Sequence, residues 1–553
     1  MKNLRRSPLL LVALIVAASS ASAQAPKPPA ITPENLRIHL FIIADDSMGG
    51  RDPGSKGNYL TAEYVAAQWK KAGLIPAGDK GTWFQAVPFA RERLDEAGTL
   101  TAGNVVLKAG TDFIPASWIP SRSRQFAATP ATYGGDARDS TRWISALQAK
   151  GKVVVLSVGS GSDRTYVRTF GLVSHPRWRE ATAVIVAELD LLDAEVRRDQ
   201  ARGMLVVDAP GQAGTLPPLF IATPEAADRL LGAAPGTLAP GSAGKDVAAS
   251  ASVQRDPTAY PARNVVGILP GSDPKLKGEY IALTAHNDHV GVQRVTVEHD
   301  SLRAHNAVVR PMGADSPERA ETPDETARVQ HILDSLRALR PARPDSIRNG
   351  ADDDGTGTVS LVVLAEALSR PGVRPRRSVL FVSHTGEEYG LIGSKWFTDH
   401  PTVPLDSIVA EIDQDMIGRG SVIDVSGGGP TYLEVIGAMR LSREFGAQLE
   451  AANAAQPLPF VFNYTFDQPG HPLQYYCRAD HYSYARYGIP AVALSRGEHL
   501  DYHQVTDEPQ YIDYASMSRV TQLVFDAALL IGNAETRPAL NGPKGDPNAP
   551  CRQ

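Results

Sequence analysis

Acidic and histidine side chains follow several apolar runs in this sequence, at spacings that suit cation binding and proton transfer. The adjacent glutamates Glu387 and Glu388 come directly after one such run, in SVLFVSHTGEE. Two neighbouring carboxylates repel each other, so one of them resists ionising unless a cation lies nearby. The pair therefore raises the question of what chemistry needs both acids.

Three consecutive aspartates, Asp352 to Asp354, precede the helical pattern TVSLVVLAEAL. A single aspartate can cap a helix start and complement the helix dipole. Three of them, framed by Gly350, Gly355 and Gly357, place dense negative charge on a tight stretch of backbone. A divalent cation would offset that charge.

Other candidate ligands also lie at the ends of β-like runs. His286 and Asp288 are two residues apart, so they share a face in an extended segment, and a carboxylate of this kind can orient a metal-bound imidazole. For this pair taken alone, a buried, satisfied histidine is the favoured interpretation. Asp413 and Asp415 end a further run, where either could be a solvated loop acid. A Tyr-rich segment adds His481, His499 and His503, with Asp507 one helical turn after His503.

The elements that must position these residues alternate along the chain. From residue 263 onward, β-like runs and helical patterns follow one another, which predicts a largely parallel α/β sheet with helices on both faces. In such sheets the active residues gather at the carboxyl ends of the strands. Upstream, Trp69 and its apolar neighbours have helical spacing in GNYLTAEYVAAQWKKA, and Gly73 can end that helix.

Residues 115–255 have a different sequence pattern, dominated by β-like runs such as GKVVVLSVG, ATAVIVAE and LPPLFIA. None of these runs is accompanied by a cluster of His, Asp and Glu. The segment is therefore interpreted as a separate β-rich unit, inserted before the candidate chemistry begins.

The composition is that of a soluble globular protein with more than one folded unit. The chain has 553 residues, of which 42% are hydrophobic and 21% charged. Its formal net charge is −5, from 56 basic and 61 acidic residues. This balance lacks the basic footprint of nucleic-acid binding, so we expect no nucleic-acid partner.

The N-terminus predicts export to the periplasm or secretion. Lys2, Arg5 and Arg6 precede a short apolar core that ends in Ala21-Ser22-Ala23, which is the pattern of a signal peptide. No later stretch is long and apolar enough to predict a membrane span. The two cysteines, Cys477 and Cys551, could pair in an exported chain, but the sequence leaves this open.

An ordered set of motifs links these observations to a known family. AHNDH, GADDDGTG, TGEEYGLIGS, DQDMIGR and DYHQVTDEP occur in this order. In them the chain resembles the co-catalytic di-zinc exopeptidases, which include secreted bacterial aminopeptidases and glutamate carboxypeptidases. The resemblance implies a three-layer α/β/α sandwich with a mixed, largely parallel central sheet. The β-rich unit resembles the protease-associated (PA) domain that many members carry.

The resemblance also implies two Zn²⁺ ions and a role for each site residue. His286 and Asp415 would hold one zinc, Glu388 and His503 the other, and Asp353 would bridge them. Other divalent ions suit the same ligands. The catalytic residues would be Glu387 as general base, Asp288 as the partner of His286, and Tyr502 as a donor to the oxyanion. A cis peptide between Asp353 and Asp354 is also implied.

These interpretations divide the chain into six segments. They are a signal peptide (1–23), a linker (24–35), an N-terminal part of the catalytic domain (36–114), the PA-like insert (115–255), the catalytic domain (256–533) and a flexible tail (534–553). Within the catalytic domain, residues 293–346 form a long charged insert with a predicted helix in ETARVQHILDSLRAL. This insert is either a lid over the cleft or a solvated excursion.

The first functional hypothesis is an exported zinc aminopeptidase that acts on peptides. A carboxypeptidase or dipeptidase on the same site would need a cation for the substrate carboxylate, for which Arg419, Arg478 and Arg496 are candidates. A glutaminyl-cyclase-like enzyme and a non-catalytic receptor-like binding protein are the further alternatives. One residue departs from the family pattern, because Asp413 stands where members usually have asparagine.

Overall fold

The computed structural model describes residues 31–116, 119, 121–159, 164, 167, 169–192, 204–208, 214–317 and 319–553. The predicted signal peptide (1–23) and most of the predicted linker (24–35) lie outside the described residues. Within the described ranges, none of the helices combines the length and the apolar character needed to cross a membrane.

A nine-stranded mixed sheet forms the centre of the fold, and its four middle strands run parallel. In spatial order the middle strands are Ser378–His384, Tyr280–His286, Ile408–Gln414 and Ala491–Ser495. An antiparallel neighbour lies on each side of this group, Arg263–Leu269 on one side and Tyr432–Ile436 on the other. The outer strands are Ile75–Pro76, Phe84–Ala86 and Val461–Asn463. The predicted mixed α/β fold is therefore confirmed.

Helices cover both faces of this sheet, because its strands are apolar on both sides. One face packs against helices Pro33–Ile43, Lys56–Ala72, Gly357–Leu368, Arg443–Ala454 and Tyr514–Asn533. The other face packs against helices Ile392–Asp399 and His481–Ala485. Alternate residues of a strand supply the two faces: Leu283 lies in the first cluster and Ala282 in the second.

The helix Lys56–Ala72 forms as its pattern predicts. Ser55 caps its start through the backbone N–H of Asn58, and Gly73 ends it in a left-handed conformation with φ of 89°. Trp69 is fully buried, and its ring centre lies 5.6 Å from that of Phe381 on the central sheet. This contact fixes the helix to the sheet.

A second sheet of eight strands forms the inserted unit, with helices Ala146–Ala149, Thr169–Val173 and Pro224–Leu231. In spatial order its strands are Val105–Lys108, Thr99–Ala102, Ala243–Ser250, Gln125–Asp136, Val153–Ser157, Ala183–Ala187, Leu219–Ala222 and Phe113–Pro115. The three apolar runs picked out in the sequence are strands of this sheet. The sheet begins at Thr99, upstream of the predicted start at residue 115.

The chain enters and leaves this unit through neighbouring antiparallel strands. Phe89–Leu94 pairs with Val253–Pro257 on one side and with Met204–Val207 on the other. These three strands form a small sheet of their own. The entry and exit strands therefore lie side by side, which lets the unit be inserted without disturbing the central sheet.

The charged insert 293–346 is folded and docked. It consists of the paired strands Val292–Glu298 and Pro344–Ile347 and the helices His299–Val309 and Pro323–Leu339. Inside it, the buried carboxylate of Asp300 accepts hydrogen bonds from Arg340 and Arg337. Its helix His299–Val309 contacts the segment 499–511 through Arg303 and Asp501, whose atoms lie 3.2 Å apart.

The C-terminal residues, predicted to be a flexible tail, follow the body of the protein. Cys551 forms a disulfide with Cys477, across a sequence separation of 74 residues. The Asn541 side chain donates to the carbonyl of Met439, and the Gln553 side chain donates to that of Phe466. The pairing that the sequence left open is thus present and holds the tail in place.

Replacing Cys551 with serine should loosen the tail. A disulfide that closes a loop of this length typically contributes about 2–4 kcal/mol to the free energy of unfolding. Urea denaturation should show a loss in that range, and hydrogen exchange should become faster in residues 534–553. Treating the wild type with a reducing agent should reproduce both effects, and unchanged exchange in the tail would contradict the assignment.

Candidate metal centre

The four parallel middle strands deliver candidate ligands to one edge of the central sheet. His286 is the last residue of its strand, and Asp415 follows the strand Ile408–Gln414 directly. Glu387 and Glu388 lie just beyond Ser378–His384, and His503 lies in the segment after Ala491–Ser495. Because the strands are parallel, their carboxyl ends meet at the same edge.

Asp353 lies between two of these imidazoles. Its Oδ1 is 3.1 Å from His286 Nε2, and its Oδ2 is 2.9 Å from His503 Nε2. It belongs to the segment Ala351–Thr356, directly before the helix Gly357–Leu368, and the Asp353–Asp354 peptide is cis, as the resemblance implied. The two oxygens of one carboxylate thus face two different histidines.

Two groups of potential ligands share Asp353. The first group is His286, Asp353 and Asp415, and the second is His289, Asp353, Glu388 and His503. Within each group the candidate ligand atoms all lie within 4.8 Å of one another. The structure therefore brings together all five residues that the resemblance to di-zinc exopeptidases implied as ligands.

His289 is the member that sequence reasoning missed. Its ring is fully buried, and Nδ1 lies 2.6 Å from Glu388 Oε1. Its backbone N–H donates to the carbonyl of Arg51, and a side chain at Gly350 would collide with its ring. Gly350 has a φ of 55°, so the left-handed conformation and the close approach both require glycine there. The signal available in the sequence was the second histidine of the AHNDH motif.

Several of these atoms are buried without a hydrogen-bond partner in the part of the chain that the structure describes. They are Nε2 of His286, Nδ1 and Nε2 of His289, Nε2 of His503, Oε1 of Glu388 and Oδ1 of Asp415. Short distances such as the 2.6 Å between His289 and Glu388 are present, but the groups are misaligned for hydrogen bonding. Buried polar atoms are normally paired. Their convergence, with nitrogen and carboxylate oxygen donors, fits one divalent cation in each group.

The other ring nitrogen of His286 is held by the residue two positions on. His286 Nδ1 lies 3.2 Å from the backbone carbonyl of Asp288 and 3.7 Å from its carboxylate. The carbonyl is thus the closer partner, and the Asp288 carboxylate instead accepts the backbone N–H of Glu387. Donation from Nδ1 to the carbonyl would leave Nε2 free as a ligand.

The outer members of the triple aspartate fasten the segment around Asp353. Asp352 accepts the backbone N–H of Gly418 at 2.7 Å, and its other oxygen lies 3.1 Å from Nε2 of His499. Asp354 accepts the backbone N–H groups of His286 and Gly357. One aspartate therefore faces the candidate cations while its two neighbours join the surrounding loops.

Asp507 and Arg51 complete this support. The Asp507 carboxylate accepts the backbone N–H groups of Asp352 and Asp353 at 3.0–3.2 Å. The buried guanidinium of Arg51 donates to five backbone carbonyls. They belong to Ile43, Asn287, Asn349, Gly350 and Asp353. Arg51 thus links the loop after His286 to the loop that carries Asp353.

The adjacent glutamates have opposite electrostatic environments. Burial raises the pKa of Glu387 well above its usual value, and the nearby Asp415 raises it further. Burial and Asp353 also act to raise the pKa of Glu388, but His503 and His289 outweigh them and lower it to about 2. A pair of carboxyls whose pKa values are driven apart is typical of a division into a proton carrier and a permanent anion.

Tyr502 lies beside the second group. Its ring stacks on His503, with the ring centres 4.0 Å apart and an angle of 27° between the planes. It also lines the pocket that contains Asp353, Glu387 and Glu388. Its position is therefore compatible with contact to a bound substrate.

Comparison with known proteins identifies a family for the part of the chain that contains the candidate metal centre. Residues 264–528 match the sequence model of Peptidase family M28. These residues belong to Peptidase family M28. They contain both ligand groups, the glutamate pair and Tyr502.

Curated relatives match the chain over short segments. A probable leucine aminopeptidase 2 of Aspergillus oryzae is 30% identical over 154 residues, which are 27% of this chain and 28% of that protein. Leupeptin-inactivating enzyme 1 of Streptomyces exfoliatus is 36% identical over 77 residues, 13% of this chain and 18% of that protein. The chain thus spans less than a third of the length of either relative.

A solved structure extends the similarity in fold to most of the chain. The aminopeptidase from Aneurinibacillus sp. strain AM-1 superposes with a TM-score of 0.50 at 16% identity. The superposition covers 92% of this chain and 96% of that one. The likeness concerns the fold, including regions outside the M28 match.

Replacing Arg51 with lysine should disturb the candidate metal centre from a distance. Lysine cannot reproduce five donations from a planar guanidinium, so the free energy of unfolding should fall by about 3 kcal/mol. Bound divalent metal, measured by elemental analysis after dialysis, should also fall.

Arg377 offers a matched control. It is also buried, at 1% exposure, and donates to Glu279 and to the carbonyls of Ile531 and Ala534, away from the ligand groups. Replacing it with lysine should lower stability but leave the metal content unchanged. Equal metal loss in the two variants would contradict a positioning role for Arg51.

Proposed function

We propose that the protein is an exported aminopeptidase that uses two divalent cations, with zinc as the first expectation. The observation that carries this proposal is the pair of ligand groups that share Asp353, with unpartnered atoms converging in each. His286, Asp353 and Asp415 would hold one cation. Asp353, Glu388, His503 and His289 would hold the other.

When bound, the two cations would polarise the scissile carbonyl and lower the pKa of the attacking water. Glu387 is the proton carrier in this proposal. Its carboxylate lies 3.9 Å from His286 Nε2 and lines the pocket, and its side chain is 12% exposed. Nearby cations would oppose the effect of burial on its pKa, so that Glu387 can accept a proton from water and return it to the leaving amine.

The surroundings of the three candidate arginines favour an aminopeptidase over a carboxypeptidase. Arg419 is buried and bonded to Asp501 and Asp424. Arg496 is buried and donates to backbone carbonyls, including that of Tyr432 at 2.7 Å. Both are therefore engaged in holding loops.

Arg478 is the candidate that lines the pocket, and it is bonded to Asp315 at 2.9 Å. The same pocket also contains Glu434 and Glu498. Acids therefore outnumber the arginine in this pocket, which disfavours binding of the free carboxylate that a carboxypeptidase substrate carries.

Retention of the full ligand set argues against the two remaining alternatives. A glutaminyl-cyclase-like site with one zinc would not need ligands on both sides of Asp353. A receptor-like protein would not need a glutamate beside the ligand groups with a pKa raised by burial. The cyclase alternative leaves one of the two ligand groups without a purpose, and the receptor-like alternative leaves Glu387 without one.

Export is proposed from two independent features. The first is the signal-like N-terminus, and the second is the disulfide between Cys477 and Cys551, since such bonds persist mainly in oxidising compartments. The eight-stranded unit is proposed to be a PA-like domain. The insert is proposed to limit access to the pocket, because its Asp315 reaches Arg478 there.

Replacing Glu387 with glutamine should abolish peptide hydrolysis while leaving the metal content near that of the wild type. The amide keeps the shape of the side chain but cannot carry the proton, and loss of a general base typically lowers kcat by about 10²–10⁴-fold. Aminoacyl p-nitroanilides with a free amine provide the rate measurement. Substrates with a blocked amine should not be cleaved, and chelation should abolish activity.

Normal turnover in this variant would show that Glu387 is not the base. Faster cleavage of blocked peptides than of free ones would favour the carboxypeptidase alternative. Full activity after thorough removal of metal would rule out the proposal as a whole.

Replacing His289 with asparagine should selectively weaken binding of the cation held by the second ligand group. Loss of one protein ligand from a group of four should lower the affinity of that site by about 10–100-fold. Titration of metal-free protein with zinc should then show one tight and one weakened step. His39, which hydrogen bonds Tyr64 in the N-terminal helical layer, provides the control. Its replacement by asparagine should leave both steps intact, whereas an unchanged titration for the His289 variant would exclude it as a ligand.

A further inference from the structure

A pocket extends from the ligand groups into a part of the protein that the proposed chemistry does not use. Its cavity volume is about 80 Å³. Asp353, Glu387, Glu388 and Asp415 line one part of it. Among the other lining residues, those that matter here are four with apolar side chains and two with carboxylates: Met416, Ile436, Ala479, Ala493, Glu434 and Glu498.

The floor of the pocket follows from strand pairing. Tyr432–Ile436 runs antiparallel to Ala491–Ser495, with Glu434 opposite Ser495 and Ile436 opposite Ala493. Paired residues project from the same face, and every second residue along a strand shares it. Glu434 therefore lies on the same face as Ile436 and Ala493, at the end of an apolar floor.

Both carboxylates of this region are buried. Glu434 is 1% exposed, and its Oε1 accepts the hydroxyl of Tyr432 at 2.5 Å. The Glu498 side chain is 8% exposed, and its Oε2 has no hydrogen-bond partner among the residues that the structure describes. Burying a carboxylate is unfavourable unless it is paired. A ligand whose cationic group paired with both carboxylates would therefore bind more tightly.

Among the described residues that line this pocket, the basic side chain is that of Arg478, and it is already paired with an acid. Arg478 lies 2.9 Å from Asp315 and 3.9 Å from Glu498. Its side chain is 40% exposed, so it lies toward the solvent. With Asp315 and Glu434 included, three acids and one arginine lie in this region, so the carboxylates can accept a further cation.

The pKa values of both carboxylates are raised, chiefly by burial. Burial, with a contribution from Glu498, raises the pKa of Glu434 to about 8. Burial and Asp315 raise the pKa of Glu498 to about 7. A bound cation would oppose both effects by favouring the ionised carboxylates.

We propose that this pocket binds the side chain of an N-terminal lysine or arginine, so that the enzyme prefers peptides with a basic first residue. The inference rests on the proposed aminopeptidase activity and names its substrate class. The aliphatic stem of such a side chain would lie along Met416, Ile436, Ala479 and Ala493. Its charged end would meet Glu434 and Glu498, and this combination of apolar stem and charged tip matches the pocket.

The test compares lysyl with norleucyl p-nitroanilide, because the two side chains have similar stems and differ in the terminal ammonium. The wild type should cleave the lysyl substrate with a kcat/KM about tenfold higher. Replacing Glu434 or Glu498 with glutamine should remove most of that preference and leave the rate on the norleucyl substrate unchanged. Metal content and thermal melting identify a variant that has failed to fold, and the wild-type comparison needs no variant.

Each outcome separates the two proposals. If neither substrate is hydrolysed, the proposal of aminopeptidase activity is overturned. Cleavage of the norleucyl substrate as fast as the lysyl one would overturn the basic preference and leave the aminopeptidase standing. An equal loss of rate on both substrates in the glutamine variants would mean that these carboxylates bind the α-amine instead, which also overturns the inference.

Discussion

Repulsion among buried carboxylates is the constraint on which the rest of this structure depends. Two unit charges about 4 Å apart interact by about 4 kcal/mol at the effective dielectric constant of a protein surface, and by more in the interior. Asp353, Glu388 and Asp415 lie within such distances of shared imidazoles. The histidines alone do not offset this repulsion, because the ring nitrogens that face the carboxylates have no aligned hydrogen-bond partner within the described ranges. Cations at the two points of convergence would satisfy the nitrogens and the oxygens together.

An arrangement of that kind has to be enforced by its surroundings. Parallel strands bring the ligands to one edge, but they do not fix the loops that follow. That task is carried out by groups bound to the backbone: Arg51 through carbonyls, and Asp352, Asp354 and Asp507 through N–H groups. Since these contacts join residues 66 to 299 positions apart in the sequence, the ligands are positioned by the completed fold rather than by any local motif.

This explains which features were predictable from the sequence. Strands such as Val153–Ser157 and the helix Lys56–Ala72 follow from local apolar patterns, and the ligand motifs lie at strand ends. His289 was missed because it comes after the last strand residue, His286, so strand periodicity does not say where it points. The docking of the insert depends on Arg303 and Asp501, which are 198 residues apart and carry no pairing signal. The disulfide likewise depends on the path of the tail.

The same reasoning explains how two adjacent glutamates acquire different properties. Glu387 and Glu388 share a turn and a side-chain type, so their intrinsic acidities are nearly equal. Their neighbours differ: Glu388 faces His289 and His503, whereas Glu387 has buried acids on several sides. The imidazoles stabilise the ionised form of Glu388, and burial with like charge favours the protonated form of Glu387. A sequence can place two acids side by side, but only the fold decides which of them remains charged and which one exchanges a proton.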